Sequence, residues 1–257
     1  MTKTAIFIPV RTGSTRLPKK VLLKIKGKSI IEHLIDRVKL SKLADLIVLC
    51  TTTSPNDTIL ADIAKKCNVE CFRGSERDIL DRYLNASLKY EIDFIVNVDG
   101  DDIFCDPELI DKTIEAYKKM GADFLKWQGL PLGASPCGIK VEALKKVCRM
   151  KDETDTETGW SRYFTDTGIF RVEILRAENK ELNRPEVRMT LDYPGDLKFV
   201  KEVFNRLYSP SKIFTLVDIM RALKKEPELV EINRGVQKAY WERFEKRAKI
   251  KLKKGNQ

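Results

Sequence analysis

Thr4-Ala5-Ile6-Phe7-Ile8-Pro9-Val10-Arg11-Thr12-Gly13-Ser14-Thr15-Arg16-Leu17-Pro18-Lys19-Lys20 opens the chain with an apolar run that breaks into a cation-rich turn. Thr4–Pro9 reads as a short strand, and the polar loop behind it carries Gly13, Ser14 and Pro18. Next, Lys28–Leu40 places Ile30, Ile31, Leu34, Ile35 and Val38 on one helical face. Leu46–Cys50 and Val69–Phe72 are extended in character, and between them Asn56–Lys66 reads as a helix capped by Asn56 or Asp57. Glu76–Tyr90 repeats Ile79, Leu80, Tyr83, Leu84 and Leu88 at helix spacing. Phe94–Val98 is a buried strand and Pro107–Lys119 a helix with proline in its first turn. Strands alternating with helices predict an α/β fold with a doubly wound, mainly parallel sheet. Such sheets bind ligands beyond the carboxyl ends of their strands, which nominates loops 10–20, 50–57, 73–77 and 99–106.

The pattern loosens from about 125 to 165, where Gly129, Pro131, Gly133, Pro136 and Gly138 crowd together and Lys151–Gly159 is polar and acid-rich. This stretch reads as a lid or an oligomer-forming insertion. Regularity returns with Gly168–Val172, Val187–Leu191 and the helix Pro194–Leu207, and two helical stretches, 215–225 and 235–250, close the chain.

At 257 residues and 42% hydrophobic the chain has enough apolar surface for a large core, which excludes general disorder. No apolar run approaches the roughly 18 residues of a membrane span, and no signal-peptide pattern follows Met1, so a cytoplasmic protein is expected. Six cysteines (50, 67, 71, 105, 137 and 148) form no Cys-x-x-Cys pair, and the single histidine, His33, lies in a helical pattern. That argues against a zinc site of His and Cys and points to free thiols. The net charge of +10 is concentrated in residues 238–257, where eight cations face Glu242 and Glu245, leaving +4 for the rest. The basicity therefore belongs to a tail, read as a solvated helix or a fraying end.

Within residues 11–20, Arg11, Arg16, Lys19 and Lys20 surround a Gly13-Ser14-Thr15 turn. Successive backbone N–H groups in such a turn bind phosphate oxygens; Arg16 engages two oxygens at once, and Lys20 adds a compact charge. A solvated basic turn is the plainer alternative. The loop matches neither G-x-x-x-x-G-K-[ST] nor G-x-G-x-x-G, which argues against P-loop hydrolases and Rossmann dehydrogenases. Arg11-x-Gly13-Ser14-x-Arg16-Leu17-Pro18-x-Lys20 resembles the N-terminal signature of the sugar-activating cytidylyltransferases. These include the enzymes that make CMP-3-deoxy-octulosonate and CMP-nonulosonates, and the spore-coat polysaccharide cytidylyltransferases, which match best. That family usually has glycine where this chain has Lys19. Further similar segments lie around 47–57, 72–83, 94–107 and 187–200, in family order.

Asn97-Val98-Asp99-Gly100-Asp101-Asp102 puts three carboxylates at a strand end, where they repel unless solvated or neutralised. A hard-cation site for Mg²⁺ and an ordinary wet turn both fit. The resemblance implies that Asp101 is a metal ligand and that Asp192, from Arg188-Met189-Thr190-Leu191-Asp192-Tyr193-Pro194-Gly195-Asp196-Leu197, is the second. Asp196 is expected to serve the helix N-terminus instead.

Thr51 and Thr52 leave the second strand, and Arg73-Gly74-Ser75-Glu76 leaves the third, with Ser75 expected to cap the next helix. Backbone groups and short polar side chains of these two loops are expected to bind the nucleotide base, and Asp99 is expected among the nucleotide-binding residues. Gly159-Trp160-Ser161-Arg162-Tyr163-Phe164 reads either as a platform for an anionic sugar or as a dimer contact. Where the octulosonate enzymes carry a histidine this chain has Asp166, so Arg162 and Asp166 are the acceptor-side candidates.

The resemblance implies a nucleotidyltransferase domain over 1–257, with 125–170 as an acceptor or dimer subregion and 238–257 as a tail. It would transfer CMP from CTP to an acidic sugar, with Mg²⁺ and Arg11, Arg16, Lys20 and Asp101 at the reacting centre, for cell-surface glycan synthesis. A homodimer is expected, and no nucleic-acid partner. The alternatives are a transferase using another nucleoside triphosphate or a sugar or polyol phosphate, and a nucleic-acid or anionic-surface binding module driven by the tail.

Overall fold

The computed structural model describes residues 2–253, so Lys254, the last cation of the tail, lies outside the described residues. β1 (Thr4–Pro9) leads through the cationic loop to a small antiparallel hairpin, β2 (Lys24–Ile25) and β3 (Lys28–Ser29), and then to α1 (Ile30–Val38). β4 (Leu46–Thr52), α2 (Thr58–Lys66), β5 (Glu70–Gly74), α3 (Ile79–Tyr90), β6 (Phe94–Asn97) and α4 (Pro107–Met120) continue the alternation. β7 (Phe124–Gln128), β8 (Cys137–Lys140), α5 (Val141–Met150), α6 (Arg162–Thr165) and β9 (Val172–Arg176) follow. The chain ends with α7 (Pro194–Leu207), α8 (Leu216–Lys225), α9 (Glu231–Arg234) and α10 (Val236–Arg247).

Seven strands form one sheet in the order β5-β4-β1-β6-β8-β7-β9. All neighbours are parallel except β8, which runs antiparallel to both β6 and β7. Every residue of β1 is buried because both faces of the sheet are covered. Ala5 and Phe7 pack toward α3 and α5 on one face, and Ile6 and Ile8 toward α1, α2 and α4 on the other. A third apolar cluster joins Phe104, Met189, Leu191, α7 and α8. The expected doubly wound α/β sheet is therefore present, and its parallel strands aim their carboxyl ends at the cationic loop and the acidic turn.

Four local expectations are corrected. Asp57 makes no helix cap; its carboxylate instead accepts hydrogen bonds from Thr12 N and Oγ1 at 2.8 and 2.6 Å and from Thr52 Oγ1 at 2.5 Å. The cap of α3 is Asp78, whose Oδ1 accepts from Asp81 N, while Ser75 Oγ accepts from Asp78 N one turn earlier. Val187–Leu191 joins no ladder of the sheet: Leu132 N donates to Val187 O, Met189 N donates to Leu132 O, and Leu191 N donates to Asp101 O at 3.0 Å. The regular stretch read over Gly168–Val172 becomes a strand only from Val172, where β9 begins. β8 lay hidden in the Gly/Pro-rich region. Its Gly138 is required by close approach, since a Cβ there would meet the Phe94 ring at 2.5 Å.

Candidate active site

Three segments meet beyond the carboxyl ends of β1 and β6. The cationic loop is tied down at its start by the Thr12–Asp57 bonds and at its end by a 3₁₀ turn, Lys20–Leu22, which buries Lys20 to 8% exposure. The acidic turn is pressed against it: Gly100 N donates to Pro9 O at 3.0 Å, and a Cβ on Gly100 would meet Pro9 O and Val10 Cβ at 2.8 Å. The Leu191–Asp101 backbone bond then brings Asp192 to the same place.

Lys20 Nζ lies 2.5 Å from Asp101 Oδ2 and 2.8 Å from Asp192 Oδ1. Arg16 donates to the same Asp192 oxygen, and its guanidinium sits 5.3 Å from the centre of the Tyr193 ring. Burial disfavours the Lys20 charge, but Asp101 and Asp192 overcome it and raise its pKa. Burial alone would likewise raise Asp192, yet Lys20 and Arg16 hold its carboxyl down to about 2.

Asp99, Asp101 and Asp102 bring carboxylate oxygens within 4.8 Å of one another. Burial and then Asp101 push Asp99 up to about 6, and the same causes, with Asp99 added, hold Asp102 well above the usual carboxylate range. Crowded, under-neutralised hard oxygens of this kind suit Mg²⁺. Asp192 stands outside the trio, with Oδ1 on Lys20 and Arg16 and Oδ2 on Arg188 at 3.1 Å. Asp99 also accepts from Asn97 Nδ2 at 3.0 Å, and Asn97 accepts from the Tyr83 hydroxyl.

Beneath Asp192 lies Arg188, 1% exposed and overlooked in the sequence. Its Nε and Nη2 clamp both oxygens of Asp196 at 2.9 and 3.1 Å, and Asn233 Nδ2 bonds Asp196 Oδ1. Asp196 Oδ2 in turn accepts from Asp192 N and Tyr193 N, the expected helix-capping role.

Arg16, Lys20, Asn97, Asp99, Asp101, Asp102 and Asp192 line a cavity of about 660 Å³. Arg11, Gly13, Ser14, Thr15, Arg162 and Asp166 line it too. Thr51, Thr52, Arg73 and Ser75 do not. Arg73 spends its donors on Thr52 O and Ser54 O, and the Ser75 carbonyl accepts from Arg82. Thr52 and Arg73 thus bond the turn that follows β4, and Ser75 bonds the turn that precedes α3. Arg162 is also committed, to Glu245, to Ala248 O and, at 3.6 Å, to Asp166. Glu157, unread in the sequence, bridges Arg11 at 3.4 Å and Arg82 at 2.8 Å. His33 is remote; its Nε2 meets Ile25 O at 2.8 Å.

The basic tail is not free in its described part. Tyr240 covers Arg188 at 4.5 Å, Arg162 grips Glu245, and Lys253 N donates to Met150 O. No helix among the described residues is long and apolar enough to cross a membrane.

A doubly wound sheet with a cationic loop after β1 and carboxylates after β6 defines an α/β nucleotidyltransferase. More narrowly, the chain belongs to the cytidylyltransferase family, which it matches over residues 5–211. It is 35% identical to an uncharacterized protein of Methanocaldococcus jannaschii, over 91% of this chain and 96% of that one. It is 29% identical to the spore coat polysaccharide biosynthesis protein SpsF of Bacillus subtilis, over 85% and 95%. A 3-deoxy-manno-octulosonate cytidylyltransferase of Chloroherpeton thalassium is 32% identical over 44% of this chain and 45% of its own. Among solved structures, a cytidylyltransferase from Leptospira borgpetersenii superposes with a TM-score of 0.81 at 27% identity, covering 90% of this chain and 97% of that one.

Proposed function

We propose that the protein transfers CMP from CTP to an acidic sugar of the 3-deoxy-ulosonate or nonulosonate type, releasing pyrophosphate, in cell-surface glycan synthesis. The observation that carries this reading is the Lys20 ammonium shared by Asp101 and Asp192, at the edge of a cavity floored by the Gly13-Ser14-Thr15 turn. Arg11, Arg16 and Lys20 hold the triphosphate, and the turn amides take its remaining oxygens. Asp101 and Asp192 would hold Mg²⁺, and Asp99 and Asp102 add carboxylates to the same turn as Asp101. When bound, the ion neutralises phosphate oxygens and lowers the cost of charge building on the leaving pyrophosphate. The chain's own contribution is alignment: an acceptor hydroxyl is positioned for in-line attack on the α-phosphorus, in a site without histidine.

The octulosonate relative supports the acidic acceptor, and the spore-coat relative supports the role in polysaccharide synthesis. A homodimer is part of the proposal, supported by exposed Ile174 on the edge strand β9 and exposed Ile169 beside it. Light scattering on the purified chain tests it. The transferase reaction is tested by pyrophosphate release across the four nucleoside triphosphates with Mg²⁺ and a panel of sugar acids and sugar phosphates. CTP with a sugar acid should dominate, and equal use of another triphosphate would refute the base assignment.

A further inference from the structure

One stripe of α10 faces the cavity: Tyr240, Arg243, Phe244 and Arg247, spaced i, i+3, i+4 and i+7, all line it. The helix lies beyond residue 211, where the family match ends. It is fastened from below. Tyr240 covers Arg188, which holds Asp192, and the Arg162 guanidinium grips Glu245 and Ala248 O and lies 5.2 Å from the Phe244 ring centre.

The cations in this cavity differ in what they are spent on. Arg11 and Arg82 share Glu157, Arg16 and Lys20 are on the aspartates, and Arg162 is on Glu245. Among the described residues, Lys126, Arg243 and Arg247 line the cavity with neither an ion pair nor a side-chain hydrogen bond; Arg247 is exposed, whereas Arg243 is half-buried and its Nε is closed off from solvent without a partner. A buried guanidinium donor left unsatisfied in a polar cavity is costly unless a ligand completes it. Two arginines one helical turn apart present forked donors suited to a carboxylate or phosphate. The phosphate loop already supplies cations for the nucleotide, so this arginine pair, the forked donors among the unspent cations, suits the other substrate.

We infer that Arg243 and Arg247 bind the anionic group of the acceptor, making α10 the element that selects an acidic sugar. Arg162, the acceptor candidate in the sequence, acts as a positioning residue that anchors this helix. The inference rests on the proposed transferase reaction and adds the element and residues that read its second substrate.

The test uses the full chain with CTP and Mg²⁺ and three acceptor probes: 3-deoxy-manno-octulosonate, N-acetylneuraminate and a hexose 1-phosphate. The KM for each substrate is measured separately in wild type, Arg243→Gln, Arg247→Gln and the double variant. The KM for the acceptor that is turned over should rise roughly 10- to 100-fold in the double variant, while the KM for CTP stays within about twofold. Arg243→Lys should recover only part of the loss, because a point charge replaces a fork. Turnover of a carboxylate probe or of the phosphate probe tells which anion the pair reads. An unchanged acceptor KM in the double variant overturns the inference and leaves the transferase reading standing. A matching rise in the CTP KM overturns it in favour of nucleotide binding by α10. Failure of the wild type to form a CMP-linked product from any probe overturns both.

Discussion

Lys20 and Asp192 stand 172 positions apart in sequence, yet the Lys20 ammonium lies 2.8 Å from an Asp192 carboxylate oxygen. Three segments, 10–20, 99–102 and 187–192, have to close on one another before that contact exists, and backbone bonds from Gly100 to Pro9 and from Leu191 to Asp101 close them. Lys20→Met would strand two carboxylates around an empty centre. Loss of about 3 kcal/mol in stability is expected, together with turnover reduced by at least about 100-fold. Added Mg²⁺ should raise the melting temperature more in this variant than in the wild type, because the ion replaces the missing cation.

Arg188 is a structural counterion rather than a substrate ligand. Arg188→Met would leave Asp196, fully buried, without its bidentate partner. The expected cost is about 3–5 kcal/mol in urea unfolding, and Arg188→Lys should recover little of it because the fork is lost.

Lys19 sits at φ 52°, in the left-handed region that glycine occupies without strain, and its side chain is exposed. Lys19→Gly should therefore stabilise the chain by up to about 1 kcal/mol, read as a higher denaturation midpoint, with CTP binding retained. A drop in stability would show that the lysine side chain holds the loop by other means.

Gly100 has the opposite requirement. An alanine there would push its methyl into Pro9 O and Val10, separating the acidic turn from the phosphate loop. Gly100→Ala should lower kcat by more than about tenfold, because a displaced reacting centre costs far more than the methyl itself. Stopped-flow or steady-state assays at saturating CTP check this.

The capping box of α1 supplies a pH test away from the site. Burial would raise the Glu32 carboxyl, but Lys66 and then Ser29 outweigh it and hold it at about 2. A depressed folded-state pKa stabilises fully above the unfolded value, and that stabilisation disappears as pH falls from about 4.3 toward about 2. Glu32→Gln should therefore destabilise by about 1 kcal/mol at about pH 7, and the gap from wild type should close near about pH 2. A gap that is constant with pH would contradict the assignment.

Much of this was legible in the sequence. The unbroken apolar run of β1 announced a strand buried on both faces, and the abrupt turn to Arg11–Lys20 located the carboxyl edge of the sheet. Asp101 and Asp192 were named from motifs, and the two meet on Lys20. What was hidden depended on tertiary pairing. β8 has too short and glycine-interrupted a pattern to read as a strand, and it runs against its neighbours. Arg188 had no role assigned from the sequence, although its spacing of four and eight residues from Asp192 and Asp196 was the available signal. Thr52 and Arg73 were read for their polarity alone, and the sequence did not show that Thr52 bonds Asp57 and Arg73 bonds Thr52 O. The tail read as solvated because its charges dominate, whereas Tyr240, Phe244 and Arg243 on one stripe mark a docked face.

The most direct test is pyrophosphate release from CTP with Mg²⁺ and a sugar acid, measured for wild type and Asp101→Asn, with product mass and a thermal melt alongside. Wild type should form a CMP-linked sugar, and Asp101→Asn should fold normally while turning over at least about 1,000-fold more slowly. Wild-type turnover by the folded Asp101→Asn variant would contradict the convergence of the two aspartates on one nucleotide-bound cation.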